Sequence, residues 1–103
     1  MNEPLSEQLP EITTKIQEMV RATFPEIRFT NIWVQPGTSW FGDAVVDIWA
    51  IYDGEVGDLH KVPGKLSFGT RVQDMLWDRG LDILPKTHFV TKADAGDWRP
   101  EGL

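Results

Sequence analysis

The stretch Asn31–Tyr52, NIWVQPGTSWFGDAVVDIWAIY, decides the fold, because two apolar runs of strand-forming residues flank a turn-rich loop. It reads as a β-hairpin. In the second run Val46, Ile48, Ala50 and Tyr52 share one parity, and Val45, Asp47, Trp49 and Ile51 share the other. Successive side chains of a strand point to opposite faces, so the wholly apolar parity faces a core. The other parity sets a carboxylate between Val45 and Trp49, and the incoming strand offers Phe29, Asn31 and Trp33 at alternate positions. That second face is expected to be mixed and aromatic.

Working outward, Ile27 to Gln35 supplies the first strand, with Pro36-Gly37 as its stop, and Ala44 to Tyr52 the second. The connecting loop, Pro36 to Asp43, carries Trp40 and Phe41 at its tip. Aromatic residues in such a loop commonly fold back over a sheet edge, and left in solvent they are partner contacts. Before the hairpin, Leu9, Ile12, Ile16, Met19 and Val20 recur at helical steps and predict an amphipathic helix with Pro10 in its first turn, ended by Pro25. After it, Phe68, Val72, Met75 and Leu76 predict a second helix that starts at Ser67 or Thr70 and is closed by Gly80. A third strand is expected over Lys86 to Lys92.

The expected fold class is therefore α+β, a two-layer sandwich in the order α-β-β-α-β, with a three-stranded mixed sheet and two helices on one face. The helix between strands two and three allows a parallel crossover, whereas strands one and two pair antiparallel. Residues 1–103 form one expected domain, with a mobile lead-in over 1–8 and an irregular tail over 93–103. The core is expected to hold Ile12, Ile16, Val20, Ile32, Ile48, Val72 and Leu76. Nothing in this order covers the second sheet face unless the tail folds back across it through Trp98.

Composition narrows the function classes. The chain has no cysteine, which removes disulfides and thiolate chemistry and suits a reducing, cytoplasmic compartment. The opening MNEPLSEQLPE is acidic and broken by prolines, opposite to a signal peptide, and no apolar run approaches the length of a membrane span. With 16 acidic against 10 basic residues, the net charge of −6 disfavours a general phosphate-binding surface. Five Trp in 103 residues is a large aromatic content, at home in a core or an interface hot spot.

Motif tests remove most catalytic chemistry. Gly37-Thr38-Ser39-Trp40-Phe41-Gly42 is one residue too long for a nucleophile elbow and joins two strands instead of a strand and a helix. His60 and His88 lack a second His or Cys at metal-ligand spacing, so no metal or other cofactor is expected. Leu66 stands where a P-loop needs Ser or Thr. His60, Lys61 and Lys65 gather before the second helix, whose free N–H groups and dipole favour anions, and they are the candidate anion-binding residues. Asp74, Asp78 and Asp82, at spacings of four, read as a solvated face.

The order α-β-β-α-β, with its acidic-ended hairpin and the late Pro85-Lys86-Thr87-His88-Phe89 strand, resembles the type II KH layout of ribosome-binding factor A and, more loosely, BolA-like proteins. That resemblance implies RNA binding. It departs at the helices, since the KH layout places two before its last strand, and at Gly54-Glu55-Val56-Gly57, which follows a strand and carries Glu where basic residues hold phosphate. Gly37-Thr38-Ser39 ahead of Asp47-Ile48-Trp49 is similar to the Gly-Ser turn and Asp-x-Asp strand of nucleotidyltransferases, with Trp49 in place of the second carboxylate.

The function read from these residues is a small cytoplasmic protein-interaction module, non-enzymatic, that forms a homodimer or binds another protein through the aromatic sheet face. Its interaction residues are Phe29, Trp33, Trp40, Phe41 and Trp49. The alternatives are a small-ligand-binding or nucleotidyltransferase-like enzyme domain using Asp47, His60, Lys61 or His88, and a KH-like RNA-binding domain. A titration with RNA or DNA at physiological salt should show no binding tighter than the non-specific range of roughly 10⁻⁴–10⁻⁶ M. Tighter binding that falls steeply with added salt would restore the KH-like reading.

Overall fold

A computed structural model describes residues 5–55, 57–58 and 65–100, with side chains at 5, 6, 65 and 66 left aside. The element order is α1 (Leu5–Thr23), β1 (Arg28–Thr38), β2 (Ala44–Asp53), α2 (Lys65–Asp78), β3 (Leu84–Thr91) and α3 (Lys92–Ala95). The sheet order is β1-β2-β3, with β1 antiparallel and β3 parallel to the central β2. This is the expected α+β sandwich with its mixed three-stranded sheet.

The apolar parity of β2 meets the two long helices. Val46, Ile48 and Ala50 are fully buried, and they share one core with Ile12, Ile16, Val20 and Phe24 from the α1 side and Phe68, Val72 and Leu76 from α2. Phe24 lies at its centre, with edge-on ring contacts to Phe29, Phe68 and Phe89 at 6.1, 6.0 and 5.2 Å. All seven expected core residues are buried. α2 ends in a Schellman turn: Gly80 has φ 78°, its N–H donates to the Trp77 carbonyl, and the Leu81 N–H reaches back to Leu76.

Element boundaries differ from the sequence reading for identifiable reasons. α1 already runs from Leu5, and Pro10 lies inside it with its ring exposed. Gln8 is buried and its side-chain amide donates to the Arg79 carbonyl, which ties this turn to the end of α2. The first strand passes through Pro36-Gly37 to Thr38, because β1 is an edge strand and a proline there need not sacrifice a ladder bond. Pro85 sits in β3, the other edge, on the same terms. The tail from 93 to 100 is not irregular throughout: Thr91 caps α3 by accepting a hydrogen bond from the Asp94 N–H, and Pro100 is buried.

Truncating Ile48 to Ala should destabilise the fold by roughly 2–5 kcal/mol, the usual range for a large-to-small change in a packed core. Urea unfolding followed by circular dichroism measures this, and an unchanged midpoint would remove Ile48 from the core.

Candidate interaction site

The sheet face turned away from α1 and α2 carries the second parity of β2. Register sets Trp33 of β1 opposite Trp49 of β2, and Trp49 opposite His88 of β3, so these three side chains form one row across the sheet. The neighbouring row is Gln35, Asp47 and Lys86. The Trp49 and His88 rings stack, with centroids 3.9 Å apart and planes inclined by 16°. The His88 Nε2–H donates to Asp47 Oδ1 at 3.1 Å, diagonally between the two rows. An acidic residue on this half-buried face is thus provided with a partner.

Asp47 is also fitted from below. A Cβ at Gly37 would lie 2.9 Å from Asp47 Oδ2, so the absence of a side chain there makes room for the carboxylate. Beyond α3 the chain turns at Gly96 and lays Trp98 edge-on against Trp49, with ring centroids 4.9 Å apart. The tail therefore covers part of this face, and Trp98 stays about half exposed. The indole N–H groups of Trp33 and Trp49 are buried and have no hydrogen-bond acceptor among the described residues. On the opposite face, burial first, then the carboxylates of Asp58 and Asp94, raise the pKa of the Tyr52 phenol above its ordinary value.

Phe29 does not belong to the aromatic row. A bulge between Phe29 and Asn31 shifts the register by one residue, pairs Phe29 with Tyr52 and turns it into the helix-side core, where it is buried. Strict alternation fails at that point, and Asn31 takes the far-face position opposite Ile51.

Trp40 and Phe41 do not fold back. They stand 99% and 93% exposed at the hairpin tip, the most exposed large apolar side chains among the described residues. The turn beneath them is braced by Ser39. Its N–H donates to the Asp43 carbonyl, its carbonyl accepts from the Gly42 N–H, and its hydroxyl accepts from the Phe41 and Asp43 N–H groups. Gly42 has φ 85°, a left-handed conformation that a side chain would strain. Trp49 lies five residues along β2 from Ala44, roughly 17 Å at the ordinary strand rise, so tip and aromatic row are separate surfaces.

His60 and Lys61 lie outside the described residues, and Lys65 is placed only as the first residue of α2. Among the described residues no group of three metal-ligating side chains occurs, and none of them supplies a hydroxyl hydrogen-bonded to His88. No helix among them is long and apolar enough to cross a membrane. The Asp47–His88 pair was not foreseen from the sequence. The signal available was a carboxylate on an otherwise apolar strand, which calls for a partner, but naming that partner required the β2–β3 register.

No protein-family model, curated protein or solved structure matches the chain.

Gly37→Ala should push the Asp47 carboxylate off His88, and because the group that must give way is the end of a partly exposed side chain, the loss of stability should stay below about 1 kcal/mol, the worth of a partly exposed ion pair. Thermal or urea unfolding checks this bound, and a larger loss would show that the carboxylate cannot move aside.

Proposed function

We propose that this protein is a non-enzymatic interaction module that docks the Trp40-Phe41 hairpin tip into an apolar pocket of a protein partner, either another protein or a second copy of itself. The supporting observation is the near-complete exposure of two adjacent aromatic residues on a turn held by four hydrogen bonds. Exposed aromatic area of this kind is what interface hot spots are made of. A turn already fixed in shape loses little conformational freedom on binding, so more of the contact energy remains as affinity. The sheet face that carries Trp33 and Trp49 is a secondary contact. The acidic balance of the chain argues against an anionic lipid surface as the target. The cysteine-free composition suits a cytoplasmic setting.

A Trp40→Ser, Phe41→Ser double variant tests this reading. Both positions are solvated, so stability should stay within about 0.5 kcal/mol of wild type. Partner binding should weaken by at least about thirtyfold, the loss of a hot spot. Sedimentation over a concentration series separates the partners: a wild-type dimer lost in the variant identifies a second copy, and a monomer directs the search to proteins captured by the wild type and missed by the variant. Equal capture by both, or wild-type binding to neutral lipid vesicles through the tip, would overturn it.

A further inference from the structure

A second surface lies on the outer side of β1. An open cleft of about 600 Å³ runs between α1 and this edge, lined on the helix by Leu9, Pro10, Thr13, Gln17 and Arg21 and on the strand by residues 30–34. The helix residues recur at three- and four-residue steps and so form one wall along most of α1. Gln17 Nε2 donates to the Ile32 carbonyl at 3.1 Å, which places that carbonyl on the outer side of β1, away from β2. In an antiparallel ladder the N–H and C=O of a residue point to the same side, and the side alternates along the strand. Val34 and Pro36 therefore turn their backbones outward too, and Pro36 has no N–H to offer. By this alternation the polar groups that point away from β2 are the N–H and C=O of Ile32, the N–H and C=O of Val34 and the C=O of Pro36, with the Ile32 carbonyl already accepting from Gln17.

The two ends of the cleft differ in chemistry. α1 ends at Thr23 and β1 begins at Arg28, so helix and strand run in opposite directions. Arg21 thus stands toward Thr30, and Leu9 and Pro10 toward Val34. Arg21 is exposed and makes no ion pair or hydrogen bond among the described residues.

We propose that this cleft receives an extended segment of another protein as a fourth strand of the sheet, with an acidic side chain at the Arg21 end and an apolar one at the Leu9 end. Main-chain pairing to Ile32 and Val34 supplies the register, and the helix wall reads alternate side chains, the division of labour in strand addition. Arg21 supplies the charge complementarity that selects an acidic sequence. This surface is separate from the hairpin tip, so the two readings fail independently.

The probes are two blocked seven-residue peptides of alternating Val and Thr with a single Asp at one end or the other, each with an Asn counterpart. In NMR titrations, one Asp peptide should bind with a Kd below about 1 mM, perturb the Ile32 and Val34 amides and slow their hydrogen exchange. Arg21→Gln should weaken that peptide about two- to fivefold, the worth of an exposed ion pair, and leave its Asn counterpart unchanged. N-methylation of the peptide amides that face β1 should abolish binding while the protein stays intact, and the Trp40→Ser, Phe41→Ser variant should bind normally. No binding by any peptide, binding that survives N-methylation, or perturbations confined to the hairpin tip would each overturn the proposal. A wild-type dimer whose formation protects the Val34 amide would overturn it in favour of a second copy at this edge.

Discussion

The structure depends on the burial of β2 on both faces. Val46, Ile48, Ala50 and Tyr52 are sealed against the helix layer, and on the reverse side Val45 and Ile51 are buried as well. A central strand with apolar residues on both parities cannot be left half-wet, so the chain has to furnish two covers. The helices form the first. The second comes from the tail, where the capped turn of α3 and the reversal at Gly96 bring Trp98 under Trp49. Because β2 is central, its register also fixes which residues of β1 and β3 meet, and so places Asp47 beside His88.

The aromatic residues consequently divide into two groups with different physical fates. Phe24, Phe29, Phe68 and Phe89 interlock edge to face in or against the helix-side core, and Trp33 and Trp49 lie on the reverse face. Trp40 and Phe41 contribute to neither layer. Their support is entirely local, through the hydroxyl and main chain of Ser39, which means that the tip can be altered with little effect on the core. Fold and candidate contact surface are thereby decoupled.

Much of the architecture was legible because it rests on periodicity. The spacing of Ile12, Ile16 and Val20, the parity of Val46, Ile48 and Ala50, and the crossover implied by a helix between strands two and three all follow from side-chain direction. What periodicity could not supply was register. The bulge at Thr30 moves Phe29 from the reverse face into the core, and no letter of the sequence marks it. Pro36-Gly37 reads as a stop, yet an edge strand tolerates it, and Pro10 likewise rides on the solvated side of α1. At the hairpin tip the general tendency of aromatics to find cover was overruled by a short, hydrogen-bonded turn with no surface within reach. The Asp47–His88 contact joins residues 41 positions apart and became visible only with the sheet assembled.

The two prolines of the outer strands, Pro36 in β1 and Pro85 in β3, also bear on how the molecule behaves in a crowded solution. An open three-stranded sheet has two unpaired borders, each a template on which further chains could stack toward a fibril. A proline in each border interrupts the run of donors, and at β1 Gln17 occupies part of what is left. The same covalent feature that spoils a tidy strand signal in the sequence therefore acts as a gatekeeper against amyloid-like growth, and removing it would favour polymerisation even if the fold itself became no less stable.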